Sequence, residues 1–264
     1  IPYVISIHGM LSDYALKRSS WRKKLFLFFY VKRLLLDAKA IHVLNNQEAL
    51  NLRKFNIPIS SIRVIPNGVK LPNKDSCNSI NIINDNKILL YLGRIHPIKG
   101  IDNLLNAWSM MNNSHHWILV IVGWGDDRYT SVIKNKIIKS SASDTIKYLG
   151  PMFDKDKDSM LCRSDAFILP SLSEGLPISV LEAWSYSLPV LMTVESNLSI
   201  GFDTGAAKKI STQPDIMACQ INEFFEFSEK KQIDIGIKGR QLVESSYGWK
   251  NITVQMRRLY YDIL

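Results

Sequence analysis

Between residues 88 and 192 short apolar runs alternate with amphipathic stretches, and this alternation constrains the fold more than any other feature of the chain. Apolar runs expected as strands are Ile88–Leu92, Trp117–Val122, Thr145–Leu149, Ala166–Leu169 and Pro189–Met192. Helical periodicity lies between them, at Ile101–Met111, Tyr129–Ser140, Lys155–Arg163 and Pro177–Ser187. Strands joined by helices of this length need crossover connections. They form a parallel sheet covered on both faces, a doubly wound Rossmann-like α/β unit.

A shorter pattern of the same kind precedes it. Tyr3–Ile7, Ala40–Leu44 and Ile62–Ile65 read as strands, and Gln47–Phe55 as a helix. Trp21–Ala38 also reads as a helix, with a run Leu25–Val31 well short of the ~20 apolar residues that cross a bilayer. Pro66-Asn67-Gly68 is a turn signal, and the polar stretch after it reads as a linker. The resulting division is 1–69 as a partial N-terminal domain, 70–86 as linker and 87–246 as the main domain. Residues 247–264 form a last helix that is expected to pack back on the first domain. The tail from Asp215 is helical, with one break expected at Tyr247-Gly248-Trp249.

Charge is uneven. Residues 17–70 hold 12 Lys or Arg against two acids, whereas residues 71–264 are balanced, so the net +9 belongs to the first segment. A basic face of this sort fits an anionic membrane surface, a nucleic acid, an anionic substrate or plain solvation. The segment lacks interleaved aromatics at readable spacing, and a nucleic-acid partner is therefore not expected. Cys77, Cys162 and Cys219 are odd in number, far apart and without CxxC or Cys/His spacing. Free thiols, a reducing compartment and no structural zinc are expected.

Chemistry concentrates in three stretches after expected strands. Gly93-Arg94-Ile95-His96-Pro97-Ile98-Lys99-Gly100 supplies a planar fork of donors and a mobile point charge, both suited to a diphosphate. It is neither a Walker A loop nor a GxGxxG turn. Gly123-Trp124-Gly125 is a glycine turn with room for a nucleotide, and Asp126 or Asp127 after it is expected to cap a helix rather than hold a metal. Pro170–Ala183, read as PSLSEGLPISVLEA, places Glu174 on a loop and Glu182 about two turns along the helix that Pro177 opens. The two carboxylates can grip hydroxyls about one sugar-width apart. Between them the free N–H groups around Gly175 and Leu176 and the helix N-terminus can receive an anion. Asp154-x-Asp156-x-Asp158, interleaved with Lys155 and Lys157, reads as a helix start rather than a metal loop. His8, after the first strand, can contact a substrate or move a proton.

Taken in order, Gly93-Arg94…Lys99-Gly100 and Glu174-x7-Glu182 resemble the retaining glycosyltransferases of family 4, which have the GT-B fold. Ile65-Pro66-Asn67-Gly68-Val69, Leu149-Gly150, Ser164-Asp165-Ala166 and Tyr247-Gly248-Trp249 match as well. His8-Gly9-Met10-Leu11 and Gly201-Phe202-Asp203-x-Gly205-Ala206-Ala207 are similar to members that build bacterial surface polysaccharides, including lipopolysaccharide. The resemblance implies transfer of a hexosyl-type sugar from a nucleotide-diphosphate sugar to a glycan or lipid-linked acceptor, with retention. Arg94 and Lys99 would bind the diphosphate, Glu182 the ribose, and Glu174 and His8 the donor sugar. Gly93, Gly123, Gly125, Gly175, Leu176, Pro177 and Ile178 complete the expected donor site. Two cations at the diphosphate imply no metal and no cofactor. Sugar nucleotides are made in the cytoplasm, so a cytoplasmic location is expected, with peripheral contact at the inner face of an anionic membrane.

One departure affects the expectation. The resemblance implies a complete first domain, about 150–200 residues in size, yet only some 65 residues precede Pro66. The acceptor side is thus expected to be incomplete, and the chain to keep a donor half-site without turnover by itself. A non-catalytic nucleotide-sugar binding module and a GT-B-like sugar-nucleotide epimerase are the alternative readings.

Overall fold

A computed structural model describes residues 2–8, 30–72, 86–111 and 116–264. The Gly9–Lys17 stretch, the first part of the expected Trp21–Ala38 helix, Cys77 and most of the expected linker lie outside the described residues. The chain forms two compact units. One comprises 1–68, 174–176 and 246–264, and the other 69–173 and 177–245.

The first unit has a parallel sheet in the order β1-β2-β3, from β1 (Val4–Ser6), β2 (Ala40–Val43) and β3 (Ile62–Val64). Every residue of β2, the central strand, is buried, as a strand covered on both faces must be. Helix α1 (Lys32–Asp37) precedes β2, and α2 (Asn46–Arg53) follows it. Asn45 caps α2 by accepting from the Glu48 N–H, and Glu48 Oε2 accepts from the Leu44 N–H. The terminal helix α10 (Trp249–Ile263) also belongs to this unit. It buries Ile252 and Leu259 against Ala40 and Ile65. The Trp249 indole lies over Gly68, where a Cβ would come within 2.6 Å of the ring, so only glycine fits beneath it.

The second unit holds a six-stranded parallel sheet, order β6-β5-β4-β7-β8-β9. Its strands are β4 (Lys87–Leu92), β5 (Trp117–Val122), β6 (Ile146–Gly150), β7 (Ala166–Leu169), β8 (Val190–Met192) and β9 (Ala207–Lys209). The intervening helices are α3 (Ile101–Met110), α4 (Asp127–Ile138), α5 (Asp154–Arg163), α6 (Ile178–Ser185) and α7 (Ser199–Asp203). Helices α8 (Pro214–Phe225) and α9 (Glu229–Leu242) follow the sheet. β7 and β8 are buried throughout. Helix α3 packs with α4 and α8, while α6 packs with α9. Trp117 stacks on Phe225 with ring centroids 4.4 Å apart. Trp184 on α6 is fully buried and donates Nε1–H to the Ala206 carbonyl at 2.9 Å.

The alternation of strands and helices thus builds the doubly wound sheet expected of it. Several details differ. β9 adds a sixth strand that sequence periodicity does not reveal. The tail breaks twice: Ser228 caps a fresh helix by accepting from the Lys231 N–H, and a π-helical turn at Val243–Tyr247 precedes α10. Pro177 is the N-cap of α6, not its first residue, with extended backbone at φ −77° and ψ 99°. Cys162 is disulfide-bonded, which corrects the expectation of three free thiols, while Cys219 is free and exposed.

Candidate functional site

The strand order of the second unit locates its ligand crevice. β4 leads by α3 to β5 on one side, whereas β7 leads by α6 to β8 on the other. The order therefore reverses between β4 and β7. In open α/β sheets the crevice for ligands lies outside the carboxyl ends of the strands at such a switch point. The loops after β4 and β7 flank it, and they are the two loops that carry Arg94, Lys99 and the Glu174 stretch.

These loops are held together by backbone contacts. The Leu172 N–H donates to the Ile98 carbonyl at 2.7 Å. Gly100 has φ 69°, and a Cβ there would stand 2.0 Å from the Pro170 carbonyl oxygen. Glycine is needed at Gly100 for both reasons. Buried Tyr91 donates its hydroxyl to the Arg94 carbonyl at 2.9 Å and fixes the backbone from which the guanidinium projects. His96 accepts from the Ile98 N–H and caps a short 3₁₀ turn, Pro97–Lys99, that ends at Lys99. Arg94 is exposed and Lys99 half-buried. From β8, Thr193 donates its hydroxyl to the Ser171 carbonyl at 2.6 Å and braces the same loop.

Gly123 and Gly125 also meet a packing requirement that the sequence does not reveal. A Cβ on Gly123 would lie 1.8 Å from the Gly93 carbonyl oxygen, and one on Gly125 would lie 1.9 Å from that of Ile95. The Ile95 N–H also donates to the Trp124 carbonyl at 2.7 Å. The glycine turn thus makes room for the neighbouring Gly93–Ile95 backbone. Asp126 caps α4, accepting from the Arg128 and Tyr129 N–H groups, and Asp154 to Asp158 open α5, as read from sequence.

Glu174 and Gly175 lie half-buried in the loop after β7, Leu176 and Pro177 are buried, and Ile178 begins α6. Glu182 is the fifth residue of α6, little more than one turn in rather than the two expected. Sequence reasoning missed its partner. Lys157 on α5 donates to Glu182 Oε1 at 2.6 Å. In the sequence that lysine only interrupts a row of acids, and no local pattern connects positions 25 residues apart. Beside this pair Tyr186 is hydrogen-bonded to Asp158. Burial first, and that carboxylate second, push the Tyr186 phenol well above its ordinary value.

In the first unit His8 follows β1 with φ 41° and is exposed. Its ring stands edge-on to His42, centroids 5.8 Å apart. His42 is buried and bonds the Ile65 carbonyl through Nε2 at 2.7 Å and the Ser6 hydroxyl through Nδ1 at 2.9 Å. A carbonyl can only accept, so neutral His42 carries its proton on Nε2 and accepts from Ser6 on Nδ1. Asn45 donates Nδ2–H to the Gly175 carbonyl, within the same unit. Neither His42 nor Asn45 had a motif to reveal it.

A doubly wound parallel sheet with cationic and carboxylate loops at its switch point, in a chain that also forms a smaller parallel sheet, defines the protein's class. Residues 73–232 match the family described as glycosyl transferases group 1, and residues 1–72 match glycosyltransferase family 4. The chain belongs to the group 1 family of glycosyl transferases, and its fold is of the GT-B type. It is 26% identical over 177 residues to the O-antigen chain mannosyltransferase B of Escherichia coli, covering 65% of this chain and 45% of that protein. It is 27% identical over 214 residues to a lipopolysaccharide 1,2-N-acetylglucosaminetransferase of Salmonella typhimurium, covering 74% and 55%. The crystal structure of Anabaena HepE in complex with UDP and glucose shares the fold, with a TM-score of 0.83 at 16% identity. That match covers 98% of this chain and 71% of HepE. The chain spans about half the length of the curated relatives it matches. Among the described residues no helix is long and apolar enough to cross a membrane.

Proposed function

We propose that this chain carries the donor site of a retaining glycosyltransferase that moves a sugar from a nucleotide-diphosphate sugar to a glycan or lipid-linked acceptor in surface-polysaccharide assembly. What carries the reading is the flanking of the β4/β7 switch point by the Arg94–Lys99 loop and the loop that leads to α6. Arg94 and Lys99 take the diphosphate and stabilise the charge that grows on it as the sugar leaves. Preorganised cations do this without reorganisation during the reaction. Glu182 accepts from the ribose hydroxyls. Glu174 accepts from donor-sugar hydroxyls, and N–H groups from Gly175 to Ile178 receive sugar or phosphate oxygens. Transfer proceeds with retention and without a covalent enzyme intermediate.

Support comes from the relatives, whose names include a mannosyltransferase and an N-acetylglucosaminetransferase, and from HepE, crystallised with UDP-glucose. The test is a calorimetric titration, without added metal, using a nucleoside and its mono- and diphosphate. Affinity is expected to rise with the second phosphate, and Arg94→Ala and Lys99→Ala are each expected to remove most of that rise. Equal increments in wild type and both variants would sink the assignment.

A further inference from the structure

We infer that Lys157 is a positioning residue for the nucleotide: it fixes the Glu182 carboxylate so that its remaining acceptor capacity is presented to two neighbouring ribose hydroxyls. The inference rests on the reading of Glu182 as the ribose-binding residue and adds to it the means by which that carboxylate is oriented.

Glu182 stands on α6 and Lys157 on α5, and their contact, Nζ to Oε1, is 2.6 Å. The side chains retain only 29% and 21% of their exposure, so the pair is sheltered and ordered rather than a loose surface pair. One residue further along α5, Asp158 is hydrogen-bonded to Tyr186, one helical turn beyond Glu182. Two adjacent polar rungs, Lys157 with Glu182 and Asp158 with Tyr186, therefore set how α5 meets α6. Both line a cavity of about 630 Å³ within the second unit. Arg240 ties two of its lining residues by donating to the carbonyls of Ser185, the last residue of α6, and Pro72.

The chemistry follows from lone-pair capacity. A carboxylate has about four acceptor sites. One ammonium on Oε1 uses part of that capacity and stops rotation, leaving acceptor sites for a vicinal diol. A carboxylate free to rotate would lose ordering entropy on binding the diol. Hydrogen bonds to a charged acceptor are worth about 1.5–3 kcal/mol each, so each one gives roughly a 10- to 150-fold preference over a sugar lacking that hydroxyl.

Calorimetry with the four ribonucleoside diphosphates and their 2′,3′-dideoxy counterparts tests the inference. Wild type is expected to favour one ribonucleotide over its dideoxy form by about tenfold or more. In Lys157→Met the preference should fall to about threefold or less, while affinity for the dideoxy form stays put. Lys157→Arg should restore most of the preference, since a guanidinium can hold the same oxygen. In a Glu182→Ala background, Lys157→Met should add no further loss. A preference unchanged or raised in Lys157→Met overturns the inference while leaving Glu182 as the ribose ligand. Equal weakening of both forms, or an added loss in the Glu182→Ala background, would mean that Lys157 touches the nucleotide itself, and also overturns it. A wild-type preference that survives Glu182→Ala, or no binding of any nucleotide, removes the reading of Glu182 and the inference with it.

Discussion

Gly100→Ala should damage both stability and diphosphate binding, and the size of the effect can be worked from the packing of two loops. Gly100 sits at φ 69°, where a side chain costs about 1 kcal/mol relative to glycine. The new Cβ would also lie 2.0 Å from the Pro170 carbonyl oxygen, against the 3.0 Å below which real contacts do not fall. The two loops must part by about 1 Å, and the Leu172 to Ile98 hydrogen bond at 2.7 Å, worth about 1 kcal/mol, is at stake. Together these give a loss of about 2–4 kcal/mol, or roughly 5–12 °C in Tm for a unit of this size. Arg94 and Lys99 ride on the displaced loop, so affinity for a nucleoside diphosphate should fall about tenfold or more. Gly205→Ala is the internal control. Gly205 has φ 72°, but its nearest neighbour to an added Cβ is Lys238 Nζ at 3.5 Å. It should lose only the backbone cost of about 1 kcal/mol and leave binding intact. Thermal unfolding and calorimetry on both variants read the difference. Equal Tm losses for the two, with diphosphate affinity unchanged in Gly100→Ala, would refute the reasoning.

Other outcomes follow from the same contacts. Trp184→Ala empties a fully buried site and leaves the Ala206 carbonyl without its donor, so it should cost about 3–5 kcal/mol and lower Tm by roughly 10 °C or more. Asn45→Ala removes the cap of α2 and should cost about 1 kcal/mol, read by denaturant unfolding. The Lys208 ammonium, 2.8 Å from Glu223, holds that carboxyl below the usual carboxylate range. A depressed folded-state pKa gives stability that is present above the unfolded pKa and lost as pH falls through the folded one. Glu223→Gln should therefore melt slightly lower than wild type at about pH 7, with the gap closing towards about pH 3. A gap that widens on acidification would contradict the sign.

Much of the second unit was legible because its strands are buried on both faces and so appear as unbroken apolar runs, as in Ala166–Leu169. β9 escaped notice because Ala207-Lys208-Lys209 is an edge strand with two cations and no apolar run. The Ser228 break was hidden within continuous helical periodicity. For the site, glycine and cation spacing singled out the loops after β4 and β7, but not the packing contacts of each residue in them. Gly123 and Gly125 admit a neighbouring backbone, a fact that depends on β4 and β5 being adjacent in the sheet. Lys157, Tyr91 and Asn45 act on residues that folding alone brings near, and Cys162 is bridged without any local signature.

That Glu182 belongs to a nucleotide site can be checked by titrating the chain and Glu182→Ala with nucleoside diphosphates, without added metal. Saturable binding of one base by wild type is expected, with at least about a tenfold loss in Glu182→Ala, a variant that keeps its fold but melts somewhat lower for want of the Lys157 pair. Binding of equal strength in both proteins would contradict it.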